Sequence, residues 1–154
     1  MLHHVSIGVA DVGRAAKFYD AALSALGYKR VMEFLPYAIG YGKNSPQFWV
    51  QIPNDRNAAS VGNGVHIAFN AKDKNAVHAF HRAALGAGGT DDGQPGPRAE
   101  YSPQYYGAFV RDLDGNKLEA MLMIGVKSAP KAKAKKAKRG KKKSAKKARK
   151  SKRR

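Results

Sequence analysis

The stretch His4-Val5-Ser6-Ile7-Gly8-Val9-Ala10-Asp11 returns 62 residues later as His66-Ile67-Ala68-Phe69-Asn70-Ala71-Lys72-Asp73. At the same offset Phe18 matches Phe80. Because a fixed period sets the architecture of a chain, this repeat predicts one strand-then-helix unit that occurs twice. Each copy opens with a histidine, so pairing the copies about a pseudo-twofold axis would bring two equivalent histidines towards one central site.

The charge of the chain divides sharply near residue 126. The 154 residues carry 29 Lys or Arg and 11 Asp or Glu, a formal net charge of +18. Residues 127–154 hold 17 of the basic residues and no acidic one, whereas residues 1–126 hold the other 12 together with all 11 acids. The first segment is therefore predicted to be a near-neutral globular domain, long enough to bury a core, and the second a cationic tail.

Composition also excludes several classes of chemistry. The chain has no cysteine, so it has no disulfide, thiolate nucleophile or sulfur-ligated metal, and any metal must use imidazole, carboxylate or water. No apolar run approaches about 18 residues, and residues 2–9 are too short and too interrupted for a signal peptide. We expect a cytoplasmic location, extended to the nucleoid through the tail, and no membrane partner.

Apolar alternation, helical spacing and turn residues predict the order β-α-β-β-β twice, as module one (residues 1–60) and module two (residues 61–126). Each predicted helix begins at an aspartate N-cap, Asp11 or Asp73, and glycines such as Gly27 end it. A long loop is expected at 93–98, before a final hairpin. His78 and His81, on the second helix, are expected to face solvent. Strands are predicted at 2–10, 28–35, 37–41, 47–52, 64–71, 105–112 and 117–123.

Three motifs carry a family resemblance. They are His-Val-x-Ile-x-Val-x-Asp at 4–11, Val-His-Ile-Ala-Phe at 65–69, and Tyr-Tyr-x-Ala-Phe-Val-Arg-Asp-x-Asp-Gly-Asn-x-Leu-Glu at 105–119. In this order they resemble the vicinal oxygen chelate superfamily of glyoxalase I, extradiol dioxygenases, fosfomycin-resistance transferases and bleomycin-resistance proteins. The resemblance covers residues 1–126. It implies an α+β fold in which two tandem βαβββ modules form an open, barrel-like mixed sheet with helices outside.

The resemblance also implies a divalent-metal site formed by His4, His66 and Glu119. Aligning the two modules puts Trp49 where Glu119 stands in the second, which departs from the glyoxalase I pattern. Strand alternation alone places the three polar residues opposite the apolar stripes, facing a common cavity. Imidazole and carboxylate suit Fe, Mn, Zn or Ni, and bleomycin-resistance proteins use the fold with no metal.

The resemblance therefore implies a metal-dependent lyase, dioxygenase or transferase other than a standard glyoxalase I, whose cation would chelate two oxygens of a small oxygen-rich substrate. The alternative is a metal-free small-molecule binding protein of the bleomycin-resistance type. The sequence identifies no general base, and it leaves a homodimer open. The predicted substrate pocket consists of Trp49, Gln51, Arg98, Tyr101, Tyr105 and Tyr106.

The tail resembles in composition the Lys/Ala-rich tails of linker histones and of some bacterial histone-like proteins. Its like charges repel and it has nothing to bury, so it is predicted to be disordered by itself. Phosphate backbones are the expected partner, through counterion release without base reading, and a merely solubilising role is the alternative. The predicted nucleic-acid-binding residues are Lys135, Lys136, Arg139, Lys141, Lys142, Lys143, Lys146 and Lys147.

Overall fold

The computed structural model describes residues 2–125, and the basic tail with its predicted nucleic-acid-binding residues lies outside the described residues. Ten elements form two modules with the same order. Module one contains β1 (Val5–Gly8), α1 (Val12–Ser24), β2 (Lys29–Phe34), β3 (Ala38–Gly42) and β4 (Phe48–Gln51). Module two contains β5 (His66–Asn70), α2 (Lys74–Gly86), β6 (Thr90–Pro97), β7 (Tyr105–Arg111) and β8 (Lys117–Met123).

Both helices begin and end as the sequence predicts. The side chain of Asp11 accepts a hydrogen bond from the backbone N–H of Arg14, and Asp73 accepts one from Ala76. Gly27, three residues after the end of α1, has a φ of 78°, and the next N–H donates to the carbonyl of Leu23. Only glycine takes such a positive φ at little cost, so it closes the helix and turns the chain into the next strand.

Each module forms its own four-stranded mixed sheet, with strand orders β1-β4-β3-β2 and β5-β8-β7-β6. The first strand pairs in parallel with the last in both cases. Ser6 lies opposite Trp49, and its repeat counterpart Ala68 lies opposite Glu119. The register therefore supports the sequence alignment in which Trp49 is the counterpart of Glu119. The tandem α+β architecture is confirmed, and within residues 2–125 the sheets do not close into a barrel.

The predicted long loop at 93–98 is wrong, because residues 90–97 form strand β6. This strand pairs with β7 through two register shifts, one on each side of Gly93. Its glycines and prolines give no alternating apolar pattern, so the sequence signal resembled a loop. The same residues explain the irregular pairing, because β-bulges accommodate residues that a regular antiparallel ladder does not.

The modules are joined by packed helices and by the turn between β7 and β8. Among the described residues, α1 and α2 contact each other, and the Phe48 and Phe69 rings meet edge to face at 5.1 Å. The hydroxyl of Tyr19 donates to Asp112 at 2.6 Å, and Arg14 pairs with Asp114 at 2.9 Å. These contacts fix the two sheets relative to one core.

The second helix corrects one expectation. His81 is buried, with 4% exposed, and its Nε2 lies 2.8 Å from a carboxylate oxygen of Asp91 on β6. His78 is half-buried against the hydroxyl of Tyr106. The basic neighbour Arg82 suggested a solvated face, but β6 and β7 pack on this side of α2. Within residues 2–125, no helix is both long and apolar enough to cross a membrane.

Candidate functional site

The centre of the candidate site is the carboxylate of Glu119. Glu119 lies on β8 between Leu118 and Ala120, which face the core. Alternation therefore directs it to the other side of the sheet, which we call the open face of module two: the side away from α2 that carries His66, Phe109, Arg111, Lys117 and Glu119. Although it lies on this side, Glu119 is only 1% exposed. An ionised carboxylate at such depth costs several kcal/mol of solvation, at order of magnitude, unless partners compensate.

One carboxylate oxygen has such a partner. The hydroxyl of Tyr105, on β7, donates to Oε1 of Glu119 at 2.7 Å. Burial, and then this bond to Glu119, raise the pKa of Tyr105 above its usual value, so the phenol stays protonated and acts as a donor. Gly107 lies between the two, since a Cβ there would meet Oε1 at 2.7 Å and the Tyr105 ring at 3.3 Å.

The second carboxylate oxygen points towards His66. Oε2 lies 3.2 Å from Nε2 of His66 but receives no hydrogen bond from a described residue. The side chain of His66 is 46% exposed, so the pair opens to solvent on the histidine side. A buried carboxylate oxygen without a donor, beside an imidazole nitrogen, has the chemistry of a partial site for a divalent transition metal. These two residues fit a cation as two ligands.

His4 does not join this pair within the chain. It lies at the start of module one, is exposed, and its Nδ1 lies 2.8 Å from Nδ1 of His3. Among residues 2–125, no three His, Asp or Glu side chains converge to hold a metal ion. One chain therefore contains His66 and Glu119 as a two-residue group, and His4 immediately precedes β1 of the other sheet.

The predicted pocket residues divide into three groups. Tyr101 and Tyr105 lie together, with ring centroids 5.3 Å apart, and the Arg98 guanidinium covers the Phe109 ring at 5.4 Å. Trp49 and Gln51 belong to β4 of module one, where Trp49 stacks on Phe34. Tyr106 points to the core side of β7 and contacts His78 and Lys74 on α2. Alternation along β7 separates Tyr106 from Tyr105, a signal that was available in the sequence.

Sequence reasoning missed three charged residues on the same face. Lys117 and Arg111 both contact Oδ2 of Asp92, at 3.0 and 3.4 Å, and Lys117 also covers the Phe109 ring at 4.7 Å. The bond from Lys117, followed by the nearby positive charges, holds the pKa of Asp92 below its usual value. Counting by twos from Glu119 finds Lys117, and the hairpin partner of Lys117 is Arg111. Asp92 lies within a register shift between Asp91 and Gly93 that no periodicity indicated.

Two βαβββ modules with parallel outer pairs and a polar open face define the class of fold. The family model of the glyoxalase/bleomycin resistance protein/dioxygenase superfamily matches residues 1–120, and the chain belongs to this superfamily. Its members include proteins named as glyoxalases and dioxygenases. The three motifs at 4–11, 65–69 and 105–119 therefore identified the family correctly.

Solved structures agree with this assignment. A glyoxalase/bleomycin resistance protein from Albidiferax ferrireducens T118 is 36% identical, with a TM-score of 0.69, over 79% of this chain and 97% of that one. A glyoxalase-related enzyme from Fulvimarina pelagi shares the fold at 21% identity and TM-score 0.60, over 79% and 86% of the two chains. A lactoylglutathione lyase from Agrobacterium tumefaciens does so at 17% and 0.57, over 79% and 92%. No curated protein matches the chain.

Proposed function

We propose that the protein is a divalent-metal-dependent enzyme acting on a small oxygen-rich substrate. The observation that carries the proposal is the Glu119 carboxylate, which is buried, held at one oxygen by Tyr105 and free of hydrogen bonds at the other. His66 and Glu119 would hold the cation. When bound, the cation would act as a Lewis acid towards two neighbouring substrate oxygens.

The remaining steps belong to the chain itself. Tyr105 fixes Glu119 and stays protonated, so it is a positioning residue for this carboxylate. Arg98 and Tyr101 border the same face and can donate to an anionic or oxygen-rich substrate. The Phe109 ring, between Arg98 and Lys117, gives this region an apolar floor. Because Trp49 stands in place of a second glutamate, the site lacks a carboxylate for glyoxalase I proton transfer, and we favour other reactions of the superfamily.

We further propose that a second copy of the chain supplies His4. The open face of module one, which carries His4, Trp49 and Gln51, and the open face of module two lie on separate sheets in one chain. Pairing module one of one copy with module two of another would bring the predicted ligands and pocket residues together. The site would then occur twice in a homodimer, as expected for a closed twofold assembly.

Metal analysis of untagged protein tests this function. We expect about one Fe, Mn, Zn or Ni ion per chain, lost in His66→Ala and in Glu119→Gln, because each removes a ligand. Tyr105→Phe should weaken metal binding about 10- to 100-fold, as expected for a partner that orients a ligand. His78→Ala is the matched control, since His78 lies on α2 away from the open face, and it should keep the metal. Full metal content in His66→Ala would contradict the proposal.

Mixing two inactive variants tests the second copy. His4→Ala and His66→Ala should each lose metal alone. Mixed dimers of the two contain one site with every wild-type ligand and one site that lacks both histidines. When equal amounts exchange at random, about half of the dimers are mixed and each of these has one complete site of two. About a quarter of the wild-type metal content should therefore return after mixing, by the symmetry of a two-site dimer. No recovery, with dimers present by light scattering, would show that His4 does not act across the interface.

A metal-free binding protein is the second candidate function. The observation in its favour is that Glu119 and His66 already contact each other, with no third ligand nearby in the described part of the chain. It predicts no stoichiometric metal in wild-type protein and small-molecule binding that chelators leave unchanged. We also propose that the tail binds nucleic acid non-specifically, on the strength of its 17 Lys or Arg and absence of acids.

A further inference from the structure

A separate cavity lies at one end of the open face of module two. It has a volume of about 340 Å³, and it is lined by the connection 61–65, His66, Arg111 and Lys117. This volume is at the lower end of the range of small-molecule sites, about 300–1,000 Å³. His66 is shared between this cavity and the contact with Glu119, so the two places are adjacent.

One wall of the cavity is positively charged. Arg111 and Lys117 both contact Oδ2 of Asp92, so a single carboxylate faces two cations and leaves one excess positive charge. The Arg111 side chain is 43% exposed and that of Lys117 is 33% exposed. A guanidinium has five N–H donors and an ammonium three, and here Asp92 and the carbonyl of Gly115 take only part of them. Donors therefore remain for a ligand that carries negative charge.

Another part of the lining is apolar. Val61 and Val65 line the cavity and are 45% and 59% exposed, so they leave apolar surface available to a ligand. The turn that carries them is closed by the N–H of Val65 on the carbonyl of Gly62, and Gly64 has a φ of 84°. A ligand that covers the two valines and reaches the two cations must have an apolar part and an anionic end.

We infer that this cavity binds the oxyanion group, a carboxylate or a phosphate, of a small organic anion. Arg111 and Lys117 hold the oxyanion, Val61 and Val65 contact the apolar part, and Asp92 limits the affinity by competing for both cations. That this organic anion is the substrate of the His66 and Glu119 centre rests on the proposed function, whereas binding of the anion in the cavity does not. The substrate class is then a small organic anion whose oxygen-rich reacting end lies beside His66.

Residue-resolved NMR on the full chain tests the inference. Inorganic phosphate and succinate are the two probes, each titrated in buffer freed of metal on a chelating resin. Amide shifts of 62–66, 111 and 117 should saturate with at least one probe. Signals from residues 127–154, which carry 17 cations, are followed separately. Tighter binding of phosphate identifies a phosphate ester as the ligand class, and tighter binding of succinate identifies a carboxylate.

Two substitutions with opposite expected effects make the test sharp. Lys117→Met should weaken binding of the probe roughly tenfold, because it removes a charge-assisted hydrogen bond. Asp92→Asn should strengthen it several-fold, because the competing carboxylate is gone while the side chain keeps its size. Lys17→Met, an exposed lysine on α1, is the matched control and should leave binding unchanged. If Lys117 and Asp92 only stabilised the fold, Asp92→Asn would not increase the affinity for the probe.

The outcomes separate this inference from the proposed function. If neither probe saturates the shifts of 62–66, 111 and 117, the inference is overturned even when the protein holds metal. Equal probe affinity in wild-type protein, Lys117→Met and Asp92→Asn would overturn it as well. Saturable binding with the expected signs supports it whether or not metal is found, and metal content that persists in Lys117→Met shows that the two sites are distinct.

Discussion

At the residue scale, the partners of buried polar groups distinguish scaffold from candidate site. Asp112 is 5% exposed, yet Oδ2 accepts from Tyr19 and Asn116 while Oδ1 accepts from two backbone N–H groups. His81 is equally buried and bonded to Asp91. Glu119 is buried to the same degree but keeps one oxygen without a donor. The Oδ2 atoms of Asp92 and Asp114 are also buried without a hydrogen bond, but Lys or Arg side chains form ion pairs with these two carboxylates. Among the described residues, the second oxygen of Glu119 faces only His66, and an unpaired buried acceptor is expensive, so Glu119 is the candidate functional group.

The substitution Tyr19→Phe tests how much the buried hydrogen bond from Tyr19 to Asp112 contributes to stability. Burial and the neighbouring Asp112 carboxylate raise the pKa of Tyr19, so its hydroxyl stays protonated and donates at 2.6 Å. Its removal leaves one hydrogen bond fewer on a buried carboxylate and should lower the free energy of unfolding by about 1.5–3 kcal/mol. Urea denaturation measures this as a lower midpoint with an unchanged slope. Tyr37→Phe, at an exposed tyrosine, is the control and should change stability by less than about 0.5 kcal/mol.

At the element scale, Gly107 on β7 leaves the space in which Tyr105 of β7 and Glu119 of β8 meet. Gly107→Ala should displace Glu119 or Tyr105, because the added Cβ would meet Oε1 at 2.7 Å and the Tyr105 ring at 3.3 Å. We expect metal affinity to fall about 10- to 100-fold, as for loss of a partner that orients a ligand, with the fold retained by circular dichroism. Calorimetric titration with Zn²⁺ measures the affinity.

The control for this glycine lies on α2. Gly86→Ala adds a Cβ with no atom within 4 Å, at a helical residue, so it should keep the metal affinity. Its stability should rise by about 0.5–1 kcal/mol, the helix preference of alanine over glycine. Wild-type metal affinity in Gly107→Ala would mean that the Tyr105–Glu119 contact does not position the carboxylate.

The elements also explain which predictions the sequence could support. The repeat that starts at His4 and His66 extends through both helices and most strands, so the order of the elements could be predicted from the sequence. Strand alternation placed Glu119 and His66 on one face. Strand β6 was not predictable, because its Gly-Gln-Pro-Gly-Pro residues suppress alternation and pair through bulges. Burial of His81 depends on contacts of α2 with β6, which local spacing does not contain.

At the scale of the whole molecule, the two open faces differ. Module one presents Met32, Phe34 and Trp49 on its sheet, with Met32 42% and Phe34 57% exposed, and the Phe34 and Trp49 rings stack 6.0 Å apart. Module two presents charged and hydroxyl groups around Glu119. The two modules therefore share a fold but differ in the chemistry of their open faces. The apolar face of module one suits burial, and the polar face of module two suits binding. This asymmetry is consistent with the proposed pairing of unlike faces between copies.

The proposed nucleic-acid binding by the tail does not involve the two repeated modules. Residues 1–126 have a net charge of +1, so almost all of the +18 belongs to residues 127–154. We expect full-length protein to bind duplex DNA of any sequence, because Lys and Arg displace condensed counterions. With about 6–10 phosphate contacts, affinity should fall roughly 10³- to 10⁵-fold between about 50 and 200 mM salt. Fluorescence anisotropy over a salt series measures this slope.

Two variants separate the tail from the domain in that measurement. Deletion of 127–154 should abolish DNA binding and leave metal content unchanged, since the proposed metal ligands lie in the domain. Changing the eight predicted DNA-binding residues to glutamine keeps the length of the tail but should reduce the salt dependence by nearly one unit of logarithmic slope for each phosphate that is no longer neutralised. If the tail only solubilises the protein, DNA binding should be equally weak in the full-length protein, the truncated domain and the glutamine variant. If the truncated domain binds DNA as well as the full chain does, the interface lies in the modules instead.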